Sequence, residues 1–437
     1  MSEEVVVMIN KSKLCNDILQ KTSLSKEIAE KFAEENDKFV KNLNDKIESV
    51  NAHEAIDIIS FLISVDRYFL FKQQWDNLIY ACLTKIKNGI YNGEFNTISS
   101  FSGITYINFI IRELSQKIPE LQRFFHTLEF LQSEILSNYL NLPEKSEFYQ
   151  QNGFELMQGM SGVLKYYLDS NNEQVDEQIS KIILLFVQHL TSKMIMGHST
   201  PVCHYYPSIY EKSTMIEEGK NGCINYGVSH GMAGPLTALS LAYKEYSNFD
   251  RVMEIIDSII NEYMKSYYYI DNIIYWPRRI TFEQYIGKEK CIYGKSRMSW
   301  CYGSIGILNS LYIASKEKSD KDLTEFCVNE LKKIALMNTR DYLLDSPIVC
   351  HGLSGAVLVF KRMYQETQDK IFCHKMTDFL EKIVCNFTYR EIQNINLTGI
   401  NEIKEYNYLE GYTGILQTIY SVITDTVNVN ERRLLIY

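Results

Sequence analysis

Apolar positions along the chain fall into two helical patterns that alternate. In one, they keep to a single stripe. Val252, Ile255, Ile256, Ile259, Ile260 and Tyr263 follow i, i+3, i+4, i+7, i+8, i+11, and Met376, Phe379, Leu380, Ile383, Val384 and Phe387 repeat that register. Such spacing predicts amphipathic helices with one buried face. In the other pattern the helix is apolar as a whole, as in Ile415, Ile419, Val422 and Ile423, or Leu308, Leu311 and Tyr312. The first hundred residues carry helical spacing too (Ala55, Ile58, Ile59, Leu62, Ile63) and have room for a further pair. Two stretches break the rhythm. Residues 199–228 contain Pro201, Pro207, Gly219 and Gly222 and read as a long loop. Residues 267–294 begin Tyr-Tyr-Tyr-Ile-Asp-Asn-Ile-Ile-Tyr-Trp-Pro, are rich in β-formers, and predict a short hairpin. Loops this long in a compact fold are usually functional or mobile.

Each helix of the apolar kind is led by Gly-x-x-Gly. The copies are Gly159–Gly162, Gly231–Gly234, Gly303–Gly306, Gly352–Gly355 and Gly411–Gly414, with a weaker one at Ser100–Gly103. Their start-to-start spacings are 59, 72, 72, 49 and 59 residues. Pro235, directly after Gly234, sits where the first turn of a helix tolerates proline. The repeating unit is therefore an apolar helix paired with an amphipathic one. Its simplest closed arrangement is an inner ring of apolar helices inside an outer ring, with glycines letting the inner ends crowd together near an axis. An open solenoid is the rival architecture.

Length alone, at 437 residues, suggests about three domains. The 46% hydrophobic content, only 7 prolines and no Pro/Gly/Ser-rich linker favour instead one compact body over residues 1–437. A net charge of −9, a pI near 5.6 and no Lys/Arg-rich stretch argue against nucleic acid as a partner. The opening Met1-Ser2-Glu3-Glu4 is acidic where a secretory signal is basic. The longest apolar run, Ile58–Val65, falls well short of the roughly 20 residues of a membrane helix. These features predict a soluble cytoplasmic protein that reaches a membrane only through partner proteins. Ten scattered cysteines with no Cys-x-x-Cys pair are too few for a disulfide scaffold in a chain this long, and most read as small buried hydrophobes.

The residue just before the first glycine of a copy is His230, Tyr302, His351 or Glu410 in four cases, and two before it stand Cys301 and Cys350. In a ring, equal offsets mean equal height, so these side chains gather at the N-terminal ends of the inner helices. Two cysteines and a histidine at matching height suit zinc, and catalytic zinc keeps a fourth position open. Cys350 and His351 are neighbours in sequence, so both reach one metal only from a non-helical lead-in. Two thiolates and a neutral imidazole balance the metal's charge, and a thiol arriving as fourth ligand loses its proton. That points to chemistry with a substrate sulfur as nucleophile. Attack by metal-bound water is the competitor, but no His-Glu-x-x-His motif is present and sulfur-rich ligation makes zinc a poorer Lewis acid. Other α/α toroid enzymes, glycosidases and terpene cyclases, use paired acids or Asp-rich motifs rather than a Cys/Cys/His set.

The stretches Ser229-His230-Gly231-Met-Ala-Gly234-Pro235, Trp300-Cys301-Tyr302-Gly303, Cys350-His351-Gly352 and Leu409-Glu410-Gly411-Tyr412-x-Gly414 resemble, in order, those of the lanthionine synthetase C-like family. The resemblance covers roughly residues 100–425 and is greatest to stand-alone bacterial lantibiotic cyclases of the nisin and subtilin kind. It implies an all-α α/α toroid of seven inner and seven outer helices, with room for a small β-containing insertion. It implies one Zn2+ per chain on Cys301, Cys350 and His351. The activity implied is lanthionine synthesis, in which peptide cysteine thiols add to dehydroalanine or dehydrobutyrine in a lantibiotic precursor and leave (methyl)lanthionine thioether rings. The family's active-site histidine maps onto His230, as acid for the enolate carbon, and its arginine onto Arg297, beside the developing enolate oxygen. Tyr302, beside the metal, either hydrogen-bonds substrate or packs; Trp300 reads as packing. Two departures stand out. Glu155 occupies a position that is often Asp, one methylene longer, where it would orient His230 or relay a proton. Ile305 replaces a proline at the helix entry. The implied partners are the dehydrated precursor with its leader, a dehydratase and an ABC transporter. A non-catalytic or glutathione-binding member of the family is the alternative.

Overall fold

A computed structural model of the chain describes residues 8–143, 146, 148, 153–170, 175–206, 219–246, 250–389, 391–392 and 403–437. Residues 207–218 of the loop expected at 199–228, Pro207 among them, lie outside the described residues. The contacts group the chain into two compact units. The first is Met1–Phe95, Ile110–Leu121 and Leu344–Glu431, and the second is Asn96–Phe109, Gln122–Leu343 and Arg432–Tyr437.

In the first unit, helix Ala52–Val65 is buried at almost every position. Asn51 accepts from the Glu54 N–H while the Glu54 carboxylate accepts from the Asn51 N–H, so two donors at this end are satisfied reciprocally. The helix packs on amphipathic Lys72–Tyr91 and on Tyr412–Thr424. This is the pair that the spacing of the first hundred residues predicts. Leu353–Thr367 pairs with Lys370–Asn386, whose buried stripe includes Met376, Phe379, Leu380, Ile383 and Val384. Tyr412–Thr424 is covered by Lys11–Lys21, and Lys26–Lys46 packs on both that helix and Lys370–Asn386.

The second unit repeats the scheme. Helix Ala233–Tyr243 lies between Met160–Leu168 and Ser304–Glu317, and amphipathic Asp250–Ser266, Asp176–His189 and Lys321–Ala335 back these three. Val252, Ile255, Ile256, Ile259, Ile260 and Tyr263 are all buried, as their stripe requires. The hairpin expected in 267–294 is Tyr268–Ile270 against Ile273–Tyr275. Asp271 and Asn272 turn it with φ of 51° and 63°, the left-handed values a two-residue hairpin loop needs. A second antiparallel pair joins Cys223–Asn225 to Arg279–Thr281, so the two irregular stretches are partners of each other.

One turn recurs ahead of the buried helices. The N–H of the residue after the leading glycine donates to the carbonyl six residues before that glycine: Ile104 to Thr97 at 2.9 Å, Met160 to Gly153 at 2.8 Å, Met232 to Asn225 at 2.9 Å and Leu353 to Ser346 at 2.9 Å. A side-chain oxygen four before the glycine accepts the N–H of the residue just before it. Ser99 takes that of Ser102, Glu155 that of Gln158, Ser299 that of Tyr302 and Asn407 that of Glu410. The first copy is thereby re-registered. Gly103 stands in the leading-glycine position, with its helix starting at Ile104, and not in the second position that counting from Ser100 implies. The leading glycine and the residue after it are buried in every copy, while the residue before, be it Ser102, Gln158, His230, Tyr302, His351 or Glu410, retains solvent access.

Candidate functional site

The turn before Ser304–Glu317 carries Arg297, Trp300, Cys301 and Tyr302. Its backbone is drawn in tightly: a Cβ on Gly303 would lie 2.2 Å from the Ser299 nitrogen and 2.4 Å from the Arg297 carbonyl oxygen. Cys301 is buried, its carbonyl accepts the Val228 N–H at 2.7 Å, and its sulfur lies 3.5 Å from the Ser299 hydroxyl. Trp300 is buried and donates its indole N–H to the Leu434 carbonyl at 3.2 Å, which is a packing role. Arg297 is exposed just upstream. Tyr302 is half-buried, with its phenol oxygen accepting from Asn225 Nδ2 at 3.4 Å.

The turn before Leu353–Thr367 carries Cys350 and His351. Both are half-buried, both lie on the non-helical lead-in, and the Cys350 N–H donates to the Leu409 carbonyl at 2.9 Å. Gly352 permits the turn, since a Cβ there would fall 2.3 Å from the Ser346 carbonyl oxygen. One ligand atom from each of Cys301, Cys350 and His351 can be chosen so that all three lie within 4.8 Å of one another. Two sulfurs and one ring nitrogen at that spacing form a donor set that can hold a metal ion, and the types match zinc.

His230 sits on the turn before Ala233–Tyr243 and Glu155 on the one before Met160–Leu168. The imidazole Nδ1 bonds Glu155 Oε2 at 2.8 Å. The carboxylate is fully buried, and its oxygens also accept the N–H groups of Met157 at 2.9 Å, Gly159 at 2.8 Å and Gln158. The His230 side chain remains 43% exposed against 1% for Glu155, so the ring keeps solvent access while its Nδ1 is held by a buried partner. Burial lowers the imidazole pKa, but the Glu155 hydrogen bond, the Glu155 charge and the Cys301 charge outweigh it, with Arg279 opposing, and the net shift is upward.

Reading the sequence by offset found neither Asn225 nor the two arginines 278 and 279. Asn225 and Arg279 face each other across the strand pair, and Arg278 lays its guanidinium over the Tyr302 ring. The only trace in the chain is the Trp-Pro-Arg-Arg run at 276–279, which carries no recognisable spacing.

Comparison with known proteins places this geometry. The family model described as lanthionine synthetase C-like protein matches residues 56–434. The nisin biosynthesis protein NisC of Lactococcus lactis subsp. lactis is 28% identical over 319 residues, spanning 70% of this chain and 71% of the relative. A solved structure of nisin cyclase superposes with a TM-score of 0.74 at 20% identity, covering 92% of this chain and 96% of the other. That likeness establishes the fold, an all-α α/α toroid as the sequence predicts, with the short strand pairs as its small β content.

Proposed function

The chain belongs to the lanthionine synthetase C-like family, and on that premise we propose that it closes (methyl)lanthionine rings in a lantibiotic precursor. A peptide cysteine sulfur adds to the β-carbon of dehydroalanine or dehydrobutyrine in the same chain. The C–S bond forms, the alkene electron pair moves to the carbonyl oxygen as an enolate, and a proton then reaches the α-carbon. Atoms balance without oxidant or reductant. What carries the reading is the set of two thiols and one imidazole with ligand atoms within 4.8 Å of one another.

Cys301, Cys350 and His351 would hold one zinc ion per chain. When bound, the metal makes a joining thiol acidic enough to be a thiolate at neutral pH. His230 delivers the proton to the α-carbon from the ring nitrogen that Glu155 leaves free. Its pKa is shifted upward, burial being outweighed by Glu155, and that shift favours the acid form. Glu155 acts as a positioning residue, fixing the ring through Nδ1. Arg297 is assigned to the developing enolate oxygen and Tyr302 to a hydrogen bond with the peptide. The substrate is the dehydrated precursor with its leader, delivered by a dehydratase and exported by an ABC transporter. The proposed place of work is the cytoplasm, beside such partners; no helix among the described residues is long and apolar enough to cross a membrane.

The test is incubation with a dehydrated precursor, followed by alkylation of remaining thiols and weighing of the product. Each ring closed protects one thiol, and a product that alkylates as fully as the starting peptide sinks the reading. Elemental analysis should find about one zinc per chain, lost in Cys301→Ala and in Cys350→Ala. His230→Ala should retain the metal and lose cyclisation, whereas loss of metal there would show its role misassigned.

A further inference from the structure

Arg278 lies just before strand Arg279–Thr281, where its carbonyl accepts the Tyr226 N–H at 3.2 Å. Its side chain is exposed, and its guanidinium carbon is 4.7 Å from the centroid of the Tyr302 ring. That ring is itself fixed. It rests on Gly227, where a Cβ would come within 2.5 Å of it, and its hydroxyl is held by Asn225. Asn225 is 1% exposed and also accepts the Gly227 N–H at 2.9 Å. Arg278 makes no hydrogen bond or ion pair with any other described residue. A guanidinium lying over an aromatic face is held there by the ring while the N–H fork in its own plane stays available to acceptors. The fork therefore stands ready, unused, above the residue that follows Cys301.

We propose that Arg278 is a substrate-binding residue that sets the register of the peptide. Its fork donates to backbone carbonyl oxygens flanking the reacting thiol or alkene, with Tyr302 as its platform. The inference rests on the cyclase reading above. A dehydrated residue carries no charge at its double bond, so the acceptors a peptide offers at this point are carbonyl oxygens. Lysine does not reproduce the site, because an ammonium is a point charge without a fork.

The zinc-loaded protein and a dehydrated precursor provide the test. Arg278→Ala should raise KM on the order of tenfold, as loss of a hydrogen bond from a charged donor does, while kcat, zinc content and thermal midpoint stay as in the parent. Arg278→Lys should recover only part of the loss. In a Tyr302→Phe background, which keeps the ring, Arg278→Ala should cost the same factor; in Tyr302→Leu it should cost little. An unchanged KM, full rescue by lysine, or a fall in kcat alone overturns the assignment. A parent-to-variant KM ratio that collapses with added salt would place a carboxylate on the fork and overturn the carbonyl. Calorimetric titration of precursor binding reads the same factor without turnover. If the parent forms no thioether, the cyclase reading fails, and an unweakened Kd in Arg278→Ala separately defeats this one.

Discussion

Glu155 serves two helices at once. Its carboxylate closes the turn ahead of Met160–Leu168 through three N–H groups and anchors the His230 ring ahead of Ala233–Tyr243. The offset from the glycine was visible in the sequence, and so was the acid. Its burial, and the count of donors that make an ionised acid tolerable there, were not. The pair has a pH signature. A histidine whose pKa rises on folding binds its proton more tightly in the folded chain, so the stabilisation is complete below the ordinary value of 6.5 and fades as pH rises through the higher folded value. Thermal midpoints at equal metal content should fall more between about pH 6 and about pH 8 in the parent than in Glu155→Gln. Parallel curves would remove Glu155 as the cause. In Glu155→Gln the His230 pKa, followed by NMR, should move down.

At the scale of elements, the recurring turn accounts for the glycines. Gly303 and Gly306 are required by close approach and not by unusual backbone angles: a Cβ on Gly306 would sit 1.9 Å from the Trp300 carbonyl oxygen. Gly303→Ala and Gly306→Ala should each destabilise by about 1–3 kcal/mol or more, since backbone on both sides must shift. Gly294→Ala, which meets nothing within 4 Å, should stay within about 0.5 kcal/mol. Urea midpoints decide it, and equal effects at the three sites would refute the close-approach account. The Gly-x-x-Gly period was legible because each copy must solve the same steric problem. The side-chain oxygen four before the glycine was legible at Glu155 alone, because Ser, Glu and Asn serve equally and leave no common letter.

At the scale of the whole molecule, residues distant in sequence complete the packing. In the second unit the segment Arg432–Tyr437 is inserted among earlier elements. Arg433 lies 4.4 Å from the Phe101 ring centroid and 4.1 Å from that of Tyr106, and it donates to the Ser100 carbonyl at 3.1 Å. Leu434, Leu435 and Ile436 are fully buried, and the carbonyls of the first two accept from Trp300 and Asn309. Deleting 432–437 should therefore lower the thermal midpoint by about 5 °C or more. An unchanged midpoint would mean that the segment merely covers a surface. In the first unit, Lys361 and Glu431 form a buried pair at 2.9 Å. Glu431→Gln should cost several kcal/mol, roughly 3–5, by stranding the ammonium, with denaturant unfolding as the measure.

The sequence by itself determined the alternation of buried and amphipathic helices, the glycine that leads each buried one, and the cysteines and histidines beside those glycines. These are local requirements of period, sterics and donor type, and each leaves its mark on neighbouring residues. Only the tertiary structure decided that Lys11–Lys21 and Lys26–Lys46 cover the late helices, that the two irregular stretches pair as strands, and that Arg278 reaches Tyr302. Those pairings join positions tens to hundreds of residues apart through packing and single hydrogen bonds, which impose no spacing that the chain could display.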